Sequence, residues 1–303
     1  EWVLCDDFES GAIDEAIWND NGGDNQVVAQ PAFAGSHALA MRHPANDTGG
    51  WLNSIWYPRG YTSLHDDGFP HLFLRWYVRF SGGFASSTKI AGFTVRASNL
   101  DSFWDGSLGA GFKPDGQRNG GGTRIVTSLG QSDTPPGQAR FYTYHRRMMV
   151  DRWTDGNDQL QCRYYGDALP APPGWQHTDS ATDAADDYYC AGPGTDPWNE
   201  LGTLLSGYDP GTYLANDLSL PREQWSCLEL ELAVNTPGQD DGVLRLWLDD
   251  QPAGEWIGAR FAESGAQMKI HALQLTASSP DDHPEQFSYY DNVVVSTQRI
   301  GCF

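Results

Sequence analysis

The sequence predicts an all-β chain, an antiparallel β-sandwich with long loops. Three observations predict it. No segment of a dozen residues free of Gly and Pro repeats apolar residues at helical spacing. Short runs of strictly alternating apolar and polar residues recur instead, separated by clusters of Gly, Pro, Asn and Asp. Aromatic residues make up 13% of the 303 residues, beside 34 Gly and 18 Pro. That much aromatic surface needs a packed interior, which argues against disorder.

The elements follow in order. Leu72-Phe73-Leu74-Arg75-Trp76-Tyr77-Val78-Arg79-Phe80 places Leu72, Leu74, Trp76, Val78 and Phe80 on one face. Leu228-Glu229-Leu230-Glu231-Leu232 and Leu244-Arg245-Leu246-Trp247-Leu248 alternate as cleanly, and the Pro237-to-Gly242 segment between them reads as a hairpin turn. Met268 to Leu275 and Phe287 to Ser296 complete a C-terminal set of strands. Trp76, Leu230, Leu246 and Val294 are the positions expected to be buried. Two regions break the pattern, 99–122, rich in Gly, and 151–221, rich in Tyr, Trp and Pro. Loops this long in a compact domain are commonly functional, so 151–221 is read as an inserted rim. With no internal repeat and no linker, residues 1–303 read as one jelly-roll domain.

Charge narrows the partners. Nineteen basic against 40 acidic residues give −21, which repels nucleic acid and anionic membrane surfaces. No apolar run approaches the ~18 residues of a spanning helix. Only Lys89, Lys113 and Lys269 are lysines. Five cysteines are too few for a disulfide framework and form no CxxC zinc pair. Cys162 and Cys190 are placed to clip a long loop, and Cys302 to staple the chain end, with Cys227 in a predicted strand. Cys5 is left over; the alternative is five buried thiols. The opening Glu1-Trp2-Val3 lacks a signal sequence, as in a processed secreted protein. The expectation is an extracellular monomer.

Several short motifs occur in a telling order. They are Asp6-Asp7-Phe8-Glu9-Ser10-Gly11, Lys89-Ile90-Ala91-Gly92-Phe93, Tyr142-Thr143-Tyr144, Asn235-Thr236-Pro237-Gly238, and Asp291 to Cys302. Together they resemble a fungal cellulose-induced secreted protein family related to the glucuronan lyases and to jelly-roll alginate lyases. The lysine segment is similar to their Lys-Leu-Pro-Gly-Leu, with Ala91 in place of Pro, and Tyr142-Thr143-Tyr144 to their Tyr-x-Tyr strand. Region 151–221 matches nothing in them. The resemblance implies a concanavalin A-like jelly roll and β-elimination on a uronate polysaccharide, glucuronan first and alginate second.

The chemistry sets three demands. The uronate carboxylate must be neutralised, a base must reach the C5 proton, and an acid must reach the O4 leaving group. Alternation along Arg140-Phe141-Tyr142-Thr143-Tyr144 puts Arg140, Tyr142 and Tyr144 on one face, a cation and two phenols. Tyr142 or Tyr144 is then the base or acid. A free phenol near pKa 10 is a poor base at neutral pH, by about 4 kcal/mol. Lys89, Arg124 and Arg140 are the cations that narrow that gap. Lysine, unlike arginine, can also lose its proton when desolvated. Arg124 matches the arginine strand of the lyases and would clamp the carboxylate. His145 falls on the opposite face in a regular strand and joins only if a bulge follows Tyr144. With Arg146 it would extend a locally basic binding patch for an anionic polysaccharide.

The same resemblance implies one structural Ca²⁺. Glu9 and Asp291 supply carboxylates, and the turn at Ala34, Ser36 and His37 supplies backbone oxygens, a donor set that suits a hard cation. The alternative function is a non-catalytic carbohydrate-binding or accessory protein using the same face, since Trp and Tyr stack on sugars equally well. The Glu-x-Asp-x-x-Glu signature of jelly-roll glucanases is absent, which argues against glycoside hydrolysis.

Overall fold

The computed structural model describes residues 2–45, 49–56, 68–84, 89–97, 120–127, 139–144, 149–154, 160–164, 176–177, 187–189, 212–213, 219–259, 261, 268–276 and 283–303. These residues form strands and no helix. The N-terminal part contributes β1 (Trp2–Asp6), β2 (Asp20–Gly22), β3 (Asn25–Val28), β4 (Ala38–His43), β5 (Trp51–Ile55) and β6 (His71–Phe80). Next come β7 (Lys89–Ala97), β8 (Gly120–Thr127) and β9 (Ala139–Tyr144), then the short β10 (Met149–Thr154), β11 (Leu160–Tyr164), β12 (Gln176–His177), β13 (Asp187–Tyr189) and β14 (Thr212–Tyr213). The C-terminal part adds β15 (Ser226–Ala233), β16 (Gly242–Leu248), β17 (Gln251–Ala259), β18 (Met268–Thr276) and β19 (Gln286–Ser296).

Two antiparallel sheets build the sandwich. The larger runs β14-β17-β16-β15-β6-β19-β4-β3, with β1 also paired to β19; the smaller runs β2-β5-β18-β7-β8-β9. Both are interleaved in chain order, and both are open sheets. The alternating runs behave as their period requires. Leu72, Leu74, Trp76, Val78 and Phe80 join Leu228, Leu230, Leu232, Leu244 and Leu246 in the core. From the facing sheet come Leu52, Ala91, Phe93, Phe141, Leu273 and Leu275. Trp76, Leu230 and Leu246 are buried there as expected. Val294 is buried on the other side of its strand, in register with Cys5 and Arg75. Tyr290 ties the sheets together from β19. Its fully buried hydroxyl lies 3.0 Å from the Thr276 carbonyl of β18 and 3.2 Å from that of Ile90 in β7, and burial raises its pKa.

Part of region 151–221, read from the sequence as an inserted rim, is described. Strands β10 to β13, starting two residues before it, form a separate sheet in the order β10-β11-β13-β12, while β14 joins the edge of the large sheet against β17. The reason is local composition: Trp153, Tyr164, Tyr188 and Tyr189 sit in strands, where aromatic residues are favoured. Cys162 lies in β11, while Cys190 lies outside the described residues.

The outer face of the large sheet is closed by the chain end. Cys227 and Cys302 form a disulfide across 75 residues of sequence, the staple that the sequence suggested. The buried Glu229 carboxylate accepts the N–H groups of Ile300 (2.7 Å) and Gly301 (3.0 Å). Tyr77 and Phe303 exchange hydrogen bonds between hydroxyl and backbone, at 2.8 and 2.9 Å. The Phe303 ring lies 4.4 Å from the buried Arg75 guanidinium. Cys5 is a free, exposed thiol.

Candidate functional site

The outer face of the smaller sheet has a different character. Cross-strand partners share a face, so the register defines rows running across the sheet. One row is Asn21, Leu52, Leu275, Ala91, Ile125 and Phe141, of which Leu52, Leu275, Ala91 and Phe141 belong to the core. The neighbouring row therefore lies on the opposite face: Asp20, Asn53, Gln274, Gly92, Arg124 and Tyr142. It crosses all six strands and contains no apolar side chain. Beyond it, Thr94 pairs with Gly122 and Gly122 with Tyr144.

Lys89 reaches this face through an irregularity. Simple alternation would give it the face of Ala91 and Phe93, which is the core. The β7–β8 register shifts between Lys89 and Ala91, however, and both Ile90 and Ala91 are buried in the core. One extra residue reverses the alternation beyond it. Lys89, half-buried, becomes the partner of Val126, which pairs in turn with Arg140. Five predicted residues thus occupy neighbouring positions on one face: Lys89, Arg124, Arg140, Tyr142 and Tyr144. His145 and Arg146 lie outside the described residues.

Asp20, Trp51, Asn53 and Gln274, not among the candidates read from the sequence, stand on the same face. The alternation of Trp51-Leu52-Asn53-Ser54-Ile55 was the available signal, with Leu52 in the core and Trp51 exposed.

The residues expected at a cation form a separate corner. Phe8, with φ of 57°, buries its ring and leaves Glu9 beside the turn at 34–37. Glu9 Oε1 accepts the N–H groups of Ser36 and His37, each at 2.8 Å, and Oε2 accepts Ser36 Oγ at 2.8 Å. These bonds hold its pKa below the usual value. Asp291 Oδ2 accepts the N–H groups of Phe33 (2.8 Å) and Ala34 (3.3 Å). Burial raises the Asp291 pKa to about 6, these hydrogen bonds oppose it, and the Glu9 charge adds to the rise. The two carboxylates thus hold the same turn, and one of them is buried. Among the described residues, no three His, Cys, Asp or Glu side chains converge on a metal position.

No family model and no curated protein matches the chain. Solved structures do. The alginate lyase Aly36B aligns with a TM-score of 0.53 at 15% identity, covering 96% of this chain and 94% of its own. The marine PL-14 alginate lyase from Aplysia kurodai gives 0.50 at 12% identity, covering 92% and 89%. The alginate lyase vAL-1 from Chlorella virus gives 0.50 at 14% identity, covering 93% of each. At these identities the likeness is one of fold, and it runs nearly end to end: the chain is a β-sandwich jelly roll of the kind these alginate lyases have.

Proposed function

We propose that this protein is an extracellular polysaccharide lyase that cleaves a uronate polymer by β-elimination on the outer face of the smaller sheet. The observation that supports it best is the register that groups Lys89, Arg124, Arg140, Tyr142 and Tyr144, within a fold shared with three alginate lyases. Arg124 pairs with the uronate carboxylate and so stabilises negative charge developing at C5. A proton leaves C5, the C4–O4 bond breaks, and a C4–C5 double bond forms. The departing O4 takes up a proton, so one is removed and one delivered. Tyr144, assisted by Lys89, carries this proton transfer, with Tyr142 beside it and Arg140, His145 and Arg146 binding the neighbouring sugars. Placing cations around a phenol favours its ionised form. Such a group also answers the −21 background, which would otherwise repel a polyanion.

Glucuronan and alginate are the substrates to test. Incubation with each should raise far-ultraviolet absorbance as unsaturated uronate ends accumulate. Binding without any such product on either polymer would overturn catalysis in favour of a carbohydrate-binding accessory protein. The Cys227–Cys302 disulfide supports the extracellular assignment, since such bonds persist in oxidising compartments.

We also propose that Glu9 and Asp291, with backbone oxygens of Ala34, Ser36 and His37, hold one structural Ca²⁺. A buried carboxylate beside a second carboxylate is a pair whose repulsion a hard dication relieves. The corner is distinct from the catalytic face, and its role is to tie the N-terminal turn to β19.

A further inference from the structure

Trp51 stands at the first position of β5, on the same outer face as Asn53, and its exposure falls along that strand. Trp51 is 42% exposed, Asn53 2% and Ile55 0%. An exposed indole is unremarkable when it is mobile, but this one is fixed on several sides. Its Nε1–H donates to Asp20 Oδ2 at 3.1 Å, and Asn53 Nδ2 donates to the same oxygen at 2.6 Å. Asn25 Nδ2 holds the Trp51 carbonyl at 2.8 Å and the Gly22 carbonyl at 3.0 Å. The benzenoid ring lies directly on Gly22. A Cβ there would fall 2.3 Å from Trp51 Cζ2, so only glycine admits the ring at this height. Gly23 and Gly50 pack equally closely beneath, since a Cβ on Gly23 would lie 2.4 Å from Gly50 Cα.

We propose that Trp51 is a stacking platform for a pyranose ring of the bound polysaccharide, at a subsite remote from the reacting bond. The hydroxyl edge of that ring faces Asp20. A rigid, oriented indole offers large contact area at low entropic cost, and a sugar presents an apolar face to match it. Both hydrogen bonds to Asp20 fall on Oδ2, which leaves Oδ1 as an acceptor for sugar hydroxyls. A carboxylate at this position disfavours a uronate carboxylate against it, so the stacked ring turns its hydroxyls inward. Three strand spacings, about 14 Å, separate β5 from β8, the strand of Arg124. That span holds several sugar rings, which makes Trp51 a determinant of chain length rather than of chemistry. The inference rests on the lyase reading for the identity of the bound chain alone.

The test measures binding of polymeric alginate, polymeric glucuronan and their trisaccharides to wild type, Trp51→Ala, Trp51→Phe and Gly22→Ala. Affinity electrophoresis reports binding, and release of unsaturated product is followed on the same samples. Unchanged melting temperatures establish that each variant is folded. Trp51→Ala should bind polymer about threefold to tenfold more weakly. The loss should be larger for polymer than for trisaccharide, and Trp51→Phe should recover most of it. Gly22→Ala should reproduce the loss with the indole still present, because it lifts the ring from its seat. Equal polymer affinity of wild type and Trp51→Ala overturns the platform, and product formation in those samples then leaves the lyase reading standing. Wild type that binds neither polymer also overturns the platform, while absence of product independently removes the lyase reading.

Discussion

The two outer faces of this sandwich are built from the same alternating strands and put to opposite uses. On the large sheet, the outer row sets the charged pair Arg75 and Glu229 between Val294 and Trp247, and it is sealed. The chain end lies across it, supplying N–H groups to Glu229, a ring to Arg75 and a sulfur to Cys227. On the small sheet, the row from Asp20 to Tyr142 has no apolar residue, and an exposed tryptophan marks its rim. A buried charge without a partner is costly, so charge on a sheet face must be satisfied by protein or left for a ligand. Here the protein's own tail satisfies Glu229 and covers Arg75, whose Nε and Nη1 have no hydrogen-bond partner among the described residues, and the other face is the one we assign to substrate. Substitutions on the first should change stability, and those on the second should change turnover.

The largest expected effect tests the catalytic face. Tyr144→Phe removes one hydroxyl and should lower turnover by 10²–10⁴-fold while leaving polymer binding and the melting temperature near wild type. Arg124→Ala should weaken binding as well, because it meets the carboxylate in the ground state. Kinetics on alginate and glucuronan separate the two, and a Tyr144→Phe enzyme with full activity would break the assignment.

The sealed face should answer in stability. Removing the 75-residue disulfide by Cys227→Ser and Cys302→Ser should cost about 2–5 kcal/mol, read by denaturant titration. Turnover per folded molecule should be unchanged. A loss of activity without loss of stability would show that the two faces are coupled.

Chelation probes the corner at Glu9 and Asp291, which belongs to neither use. At a hundredfold excess of Ca²⁺ over its Kd, a native-state site contributes about 2.7 kcal/mol. A chelator should therefore lower the melting temperature, and Asp291→Ala should abolish that response. Protein that contains calcium and melts identically with chelator would exclude the site.

The last test sharpens the comparison by acting on the inside of the large sheet. His43 is buried against Phe84 and 2.9 Å from Ser288 Oγ. Burial, with the neighbouring His283 adding to it, lowers its pKa to about 3. The unfolded chain takes up a proton near pH 6.5 while the folded one does not. Stability should therefore fall as the pH drops from about 6.5 toward 3, by about 1.4 kcal/mol per unit from this residue. His43→Gln should flatten that slope in urea titrations across the window, and an unchanged slope would remove His43 as its source.

Much of this was legible from residue order. Period-two alternation identified the strands Leu72–Phe80, Leu228–Leu232 and Leu244–Leu248 and their buried faces, because it is a local consequence of backbone geometry. Tyr142 and Tyr144 could be placed on one side of their strand for the same reason, and Cys302 could be seen as a staple. Lys89 could not be placed. Its face depends on the extra residue at Ile90, which exists only in the pairing of β7 with β8. Nor could Arg124 be seen to oppose Tyr142, or Asp20 to meet a tryptophan 31 residues away, since both follow from register between separate strands. Alternation is written in neighbouring residues. Register, bulges and the path of the chain end are fixed by contacts distant in sequence, and those decided which residues share a face and which face the tail covers.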